Sequence, residues 1–330
     1  MPQNYSIFIL RIFVFSWSCR SLYALDTTCK NPALSGALFG SPIIVSTEAS
    51  AAQSVATGDF DNDGFLDLAS ASAGDNNIAW YQNLDGNGSL WTKFIVTDHN
   101  ANGAQSVVTG DFNDDGFLDL ASASYGDHKI AWYKNNGRKG ECFGPQISPQ
   151  IVVSPSNFGT TRCVATGDLN GDGFLDLAAT SIGGREVTWF NNTDGKGKFS
   201  TSHPVPVICH NAIGVTTGDL DGDGDLDLIS ACYSGIDDGS QIVWYNNTDG
   251  KGNFGPPIGV TKDAPLARSV VAADFNNDGF LDLASASADK IAWYKNLDGK
   301  GTFGEQILVA AIQMVHAIGS GPFVVAGDFN

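Results

Sequence analysis

One fifteen-residue pattern, set down five times, constrains this chain more than any other feature. GDFDNDGFLDLASAS begins at Gly58, GDFNDDGFLDLASAS at Gly110, GDLNGDGFLDLAATS at Gly167, GDLDGDGDLDLISAC at Gly218 and ADFNNDGFLDLASAS at Ala273, and a sixth start, GDFN, stands at Gly327. The leading aspartates, Asp59, Asp111, Asp168, Asp219, Asp274 and Asp328, follow one another at separations of 52, 57, 51, 55 and 54 residues. Self-similarity at such a period marks an architecture in which each unit buries its faces against its neighbours.

A second element follows each pattern at a near-constant offset: IAWYQNLDGNG, IAWYKNNGRKG, VTWFNNTDGKG, IVWYNNTDGKG and IAWYKNLDGKG. An apolar stretch such as FIVT, QIVVS or QILVA closes each unit. The unit therefore reads as four short strands: one entering the Asp loop, one leaving it as LDLASAS, one ending in Trp and an aromatic, and one after an Asp-Gly turn. Ile130 and Trp132 fall on one face of the third strand and Ala131 and Tyr133 on the other, so both faces are apolar, as stacked sheets require. Four strands in about 50 residues is the size of a propeller blade, and too few residues for an independent sandwich. The expected fold is an all-β propeller of four-stranded blades, six or seven in the intact protein, with the chain ending inside its last blade. SPIIVSTE, Ser41 to Glu48, resembles an orphan last strand that completes the blade at the other terminus.

The domain plan is a signal peptide over 1–24, a lead-in over 25–40 and a propeller over 41–330, with repeats starting near 53, 105, 162, 213, 268 and 322. The signal reading rests on the apolar run from Ile7 to Phe15, interrupted by Arg11, with a cut after Ala24. It implies a secreted product, in which the remaining Cys29, Cys142, Cys163, Cys209 and Cys232 favour disulfides. Nearness in sequence suggests Cys142 with Cys163 and Cys209 with Cys232. Glycosylation tripeptides at Asn87, Asn191 and Asn246 suit a secreted glycoprotein.

The formal charge is −18, and only four of the 36 acidic residues are glutamate: Glu48, Glu141, Glu186 and Glu305. That balance repels nucleic acid and anionic membranes and favours cations. Aspartate also belongs to turns and short metal loops. Each loop follows D-x-[DN]-x-D-G-x-x-D, in which oxygens at positions 1, 3 and 5, the carbonyl of 7 and the carboxylate of 9 converge, and Gly at 6 allows the bend. An all-oxygen cage with flexible ligands suits calcium. The expected ligands are Asp59, Asp61, Asp63, Phe65 and Asp67; Asp111, Asn113, Asp115, Phe117 and Asp119; Asp168, Asn170, Asp172, Phe174 and Asp176; Asp219, Asp221, Asp223, Asp225 and Asp227; and Asp274, Asn276, Asp278, Phe280 and Asp282. That makes about five ions, one per complete repeat. EF-hands are excluded, because position 12 is Ser70, Ser122, Ala179, Ser230 or Ser285 and strands flank the loop.

The GDFDNDGFLDLASAS and IAWYKNLDGKGTF elements resemble VCBS or FG-GAP-like repeats, related to the propeller of integrin α subunits. The resemblance covers residues 41–330 and implies calcium in the hairpin loops and extracellular recognition, such as cell adhesion, on the opposite face. The chain lacks the fuller Phe-Gly and Gly-Ala-Pro spacing of integrins. Some relatives are lyases or dehydratases acting on carbohydrate, which makes a carbohydrate-active enzyme or lectin the runner-up function.

No catalytic constellation is visible: the histidines follow no repeat, and no nucleophile elbow occurs. The recurring pairs Trp80-Tyr81, Trp132-Tyr133, Trp189-Phe190, Trp244-Tyr245 and Trp293-Tyr294 read as inter-blade core. A protein or glycan ligand is expected where the repeats differ: Tyr125 to His128, Arg185 and Glu186, Tyr233 to Asp238, and the connections bearing Arg162, His210, Arg268 and His316.

Overall fold

A computed structural model describes residues 43–97, 99–137, 150–155, 158–182, 186–200, 202–205, 211–234, 236 and 239–311. The expected signal peptide, Cys29, Cys142, Arg185, Cys209, His210, Asp237, Asp238, His316 and the sixth repeat lie outside these residues, as does the side chain of Glu186.

Each repeat forms one four-stranded antiparallel sheet in chain order. The first holds β1 (Ala52–Gly58), β2 (Asp67–Ser72), β3 (Asn77–Asn83) and β4 (Trp91–Thr97). The second holds β5 (Ala104–Gly110), β6 (Asp119–Ser124), β7 (Lys129–Tyr133) and β8 (Ile151–Val152). The third holds β9 (Thr160–Gly167), β10 (Asp176–Ile182), β11 (Glu186–Phe190) and β12 (His203–Pro204). The fourth holds β13 (Ala212–Gly218), β14 (Asp227–Cys232), β15 (Ile242–Tyr245) and β16 (Ile258–Thr261). The fifth holds β17 (Ser269–Ala273), β18 (Asp282–Ala286), β19 (Lys290–Tyr294) and β20 (Ile307–Ala311). Among the described residues no helix is long and apolar enough to cross a membrane.

The sheets are the blades of a β-propeller. Their first strands touch in succession, β1 on β5, β5 on β9, β9 on β13 and β13 on β17, as the inner strands of blades around an axis do. Small residues make that approach possible. The glycine ahead of each of the first four loops meets a leucine of the next blade: a Cβ on Gly58 would stand 2.7 Å from Leu118, and one on Gly167 would stand 2.6 Å from Leu226. The LDLASAS strands β2 and β6 are buried on nearly every residue, so alternation is lost, as expected for sheets covered on both sides.

The Trp-aromatic pairs lie in this interior. Trp80, Trp132, Trp189 and Trp244 are buried. Trp132, Trp189 and Trp244 lie against Gly197, Gly252 and Gly301 in the turn of the following blade, whereas Trp293, on the last described blade, stays half-buried. The partner aromatic points to the opposite face. Tyr81, Tyr133 and Tyr294 hydrogen-bond Ser70, Ser122 and Ser285 at 3.0–3.1 Å. The third repeat changes both members of that pair at once, to Phe190 and Ala179.

The strand expected over 41–48 is not formed by the described residues 43–48. Ser46 instead meets Tyr81, and the carbonyl of Glu48 accepts a 3.0 Å hydrogen bond from Lys93 Nζ. A strand needs a ladder, and the repeat that would supply one lies beyond residue 311.

Candidate metal centre and the opposite face

The Asp loops join the first and second strand of each blade and so gather at one end of the propeller. Gly at position 6 takes the bend with positive φ, from 83° at Gly116 to 95° at Gly224. Position 4, which the motif leaves unspecified, is also left-handed at Asn62, Asp114, Gly171, Gly222 and Asn277. Asn, Asp and Gly are the residues that tolerate that conformation. The first aspartate ties the bend: Asp59 Oδ1 accepts from Asp63 N at 3.0 Å and its Oδ2 from Gly64 N at 2.8 Å. Asp111, Asp168 and Asp274 make the same pair of bonds, and Asp219 accepts from Gly222 and Gly224.

The aspartate at position 9 is buried in every loop and acts as a staple across the blade. Asp67 accepts from Phe60 N at 3.2 Å, Trp80 Nε1 at 3.2 Å and Asn83 N at 2.8 Å. Burial raises its carboxyl above the usual range, and burial pushes Asp119, Asp176 and Asp227 up to about 7 against the pull of the same backbone hydrogen bonds. Nearby aspartates add to the rise, so a positive charge close by would hold these groups ionised.

Two loops bring three carboxylates together. Single oxygens of Asp59, Asp61 and Asp67 lie within 4.8 Å of one another, as do those of Asp219, Asp221 and Asp227. In both, one oxygen of the position-3 aspartate receives a side-chain amide, from Gln82 to Asp61 at 2.5 Å and from Asn246 to Asp221. The other oxygen, Oδ1, is buried with no hydrogen-bond partner. A buried carboxylate oxygen left open beside two further carboxylates fits a hard cation.

Two other loops are closed differently. Asn113 Nδ2 donates to Asp119 Oδ2 at 2.7 Å, and Asn276 Nδ2 donates to Asp282 Oδ2 at 2.7 Å. The ammonium of Lys134 lies 2.9 Å from Asp115 Oδ2 and 3.1 Å from Asn113 Oδ1, and that of Lys295 lies 3.1 Å from Asp278 Oδ2. The third loop carries Asn170 and no such lysine, because Asn191 stands in its place. At position 7 the ring of Phe65, Phe117, Phe174 or Phe280, or the carboxylate of Asp225, covers the glycine of the turn that follows the third strand.

The motif reading missed the residues after the Trp-aromatic pair. The first is the loop partner, Gln82, Lys134, Asn246 or Lys295, a place that Asn191 holds in the third repeat with its Oδ1 left without a partner. The second is a buried asparagine that fastens blade to blade. Asn135 Nδ2 donates to Phe60 O at 2.7 Å and Leu118 O at 3.0 Å, and Asn192, Asn247 and Asn296 repeat the bond to the preceding blade. Its recurrence in YQN, YKN, FNN and YNN was the available signal.

At the opposite end, Arg162 and Arg268 stack over Tyr125 and Tyr233, with the guanidinium carbon 4.4 and 5.7 Å from the ring centroid. Asp127 pairs with Lys129 at 3.1 Å. The expected pairing of Cys142 with Cys163 is corrected: Cys163 carries a free thiol whose Sγ lies 3.6 Å from Val215 O on the next inner strand. Its position, filled by Ser54, Ser106, Gly214 and Ser269 elsewhere, belongs to the packed inner ring, and burial pushes the thiol up. Cys232 is disulfide-bonded to a cysteine outside the described residues. Of the three glycosylation tripeptides, Asn87 is exposed, whereas the Asn246 amide is engaged by Asp221.

A comparison with curated proteins finds no match. Among solved structures, an Agrocybe aegerita lectin that recognises non-reducing terminal N-acetylglucosamine is similar at 17% identity and a TM-score of 0.41, over 76% of this chain and 78% of that one. A gluconolactonase from Xanthomonas campestris is similar at 11% identity and a TM-score of 0.48, over 77% of this chain and 75% of its own. The FG-GAP-like repeat family matches residues 59–122, 111–179, 168–230, 231–285 and 274–330. With every Asp loop inside those matches, the chain belongs to the FG-GAP-like repeat family.

Proposed function

We propose that this propeller is an exported recognition module, stabilised by calcium at the Asp-loop end and binding a protein or glycan ligand at the other, without catalysis. The observation that carries the reading is the open, buried Oδ1 of Asp61 and Asp221 inside clusters of three carboxylates. Calcium prefers six to eight oxygen ligands, and these loops offer Asp59, Asp61, Asp63 and Asp67, and Asp219, Asp221, Asp223 and Asp227, with the carbonyls of Phe65 and Asp225. Bound there, the ion supplies the positive charge that lets neighbouring carboxylates stay ionised. These two loops rank first for metal, and the expectation of one ion per repeat narrows accordingly.

Export is supported by the apolar N-terminal run and by the disulfide at Cys232, a bond that persists in oxidising compartments. Recognition at the far end is supported by where the repeats differ. The Asp-loop end repeats nearly the same residues five times, while the opposite end varies from blade to blade.

Thermal unfolding with calcium, magnesium or EDTA, alongside metal content per chain, tests the reading. A site filled at a hundredfold excess over its Kd adds about 2.7 kcal/mol. In a domain of this size each kcal/mol moves Tm by about 2–4 °C. A calcium-specific rise of that order with about two tightly held ions is expected. Equal melting in all three buffers with no metal retained would remove the calcium reading.

A further inference from the structure

We propose that Arg162 and Arg268 form the anion-recognising part of the ligand site, holding a carboxylate, sulfate or phosphate group at the axial end opposite the Asp loops. This rests on the reading of that end as the ligand face.

The two arginines occupy one equivalent position. Counted back from the leading aspartates, the inner strands place Gln53, Gln105, Arg162, Ile213 and Arg268 at the same height. Each arginine lies over a tyrosine of the preceding blade, at the end of its second strand, where the five blades carry Ala73, Tyr125, Ile182, Tyr233 and Ala288. The two positions therefore change together: Ala73 is followed by Gln105, Ile182 by Ile213, and each tyrosine by an arginine. A stacked guanidinium beside a tyrosine is a built unit, and it occurs twice.

Among the described residues neither unit is neutralised. In a chain with 36 acidic and 18 basic residues, no carboxylate among the described residues pairs with Arg162 or Arg268. Arg162 Nη1 donates a hydrogen bond to Gln105 Oε1 at 3.1 Å. The Nε atoms of both arginines are buried without a partner. Burial lowers the affinity of the Arg162 guanidinium for its proton, the field of Tyr125 opposes this, and the charge of Arg268 adds to the lowering. Two half-buried guanidiniums at one height of the ring, with no carboxylate among the described residues to pair them, suit an oxyanion, which the planar fork matches bidentately. The tyrosine rings leave an apolar, planar wall for the body of the ligand.

Isothermal titration of the calcium-loaded protein with inorganic sulfate, and with glucose 6-sulfate against glucose, tests the proposal. The variants are Arg162→Gln and Arg268→Gln, which install the residue that Gln105 already provides in the second blade. One sulfate site is expected, with the sulfated sugar bound and glucose not. Either variant should weaken binding by at least about tenfold, the loss of one charge-assisted partner, with Tm unchanged. Absence of a sulfate site, or binding that both variants leave intact, overturns the proposal. A fall in Tm without any sulfate site overturns it as well and makes the arginines inter-blade staples. The calcium shift in Tm, measured on the same samples, reports separately on the stapled-propeller reading.

Discussion

The loops at 59–67 and 111–119 share one motif and reach two electrostatic solutions. In the second, Asn113 and Lys134 close the loop internally: the amide satisfies Asp119 and the ammonium bridges Asn113 and Asp115. In the first, Asp61 and Gln82 occupy those places, and one oxygen of Asp61 stays buried and open. The fourth and fifth loops repeat the contrast, with Asp221 and Asn246 against Asn276 and Lys295. Position 3 thus varies together with a residue 19 to 25 places later, aspartate with an amide and asparagine with a lysine. The third loop, with Asn170 and Asn191, has neither device. The lesson is that a repeated Asp motif does not fix its own counter-charge. In one kind of loop the chain carries the cation itself, and in the other no lysine stands beside the carboxylates, which is where the proposed calcium would supply the charge.

Replacing Asp61→Asn together with Asp221→Asn should break the comparison with the largest effect. Both open loops then acquire the asparagine of the closed ones, without their lysine. Metal content should fall by about two ions, and most of the calcium-dependent stabilisation, about 5 kcal/mol for two sites at a hundredfold excess over Kd, should disappear. In EDTA the double variant should melt at or slightly above the parent, because like charges have been removed. A calcium shift of undiminished size would mean that the open oxygens are not where metal binds.

A smaller effect separates metal from scaffold. Asn247 donates to Leu169 O at 2.9 Å and to Leu226 O at 3.2 Å, joining two blades in the same way at an open loop as Asn135 does at a closed one. Asn247→Ala leaves buried carbonyls unpaired and should cost about 1–3 kcal/mol. The loss in Tm should be equal with calcium and with EDTA, and equal for Asn135→Ala. A loss seen with calcium alone would tie this asparagine to the metal and erase the distinction between staple and cage.

Much of this was legible in the sequence because it is local. The period, the four strands, the glycine bend and the aromatic interior each depend on residues within one unit or on its immediate neighbour. The staples were not legible as such: Asn135 reaches Phe60 across 75 positions, and in YKN it reads as the start of a turn. The pairing of Cys142 with Cys163 failed for a related reason. Proximity along the chain favoured Cys142 with Cys163, but Cys163 faces the neighbouring inner strand at Val215, inside the ring. The division of the Asp loops was written in the sequence, as Asp61 or Asn113 and as Gln82 or Lys134. It had no meaning until the fold brought the end of the third strand over the loop.

Lys134 provides the smallest and most selective test of that division. Its ion pair with Asp115 is half-exposed, so Lys134→Gln alone should change stability by no more than about 1 kcal/mol, as partly solvated pairs do. Added to Asn113→Asp, it gives the second loop the position-3 and amide residues of the first. Asp61 and Gln82 would then have counterparts at 113 and 134, beside Asp111, Asp115 and Asp119. One further calcium ion per chain should be retained, with a Tm that now rises further with calcium than the parent's does. Asn113→Asp alone, with the ammonium still in place, should gain less, because Lys134 competes for the same oxygens. If the double variant binds no additional calcium, the contrast between the loops lies in backbone shape and not in who supplies the positive charge.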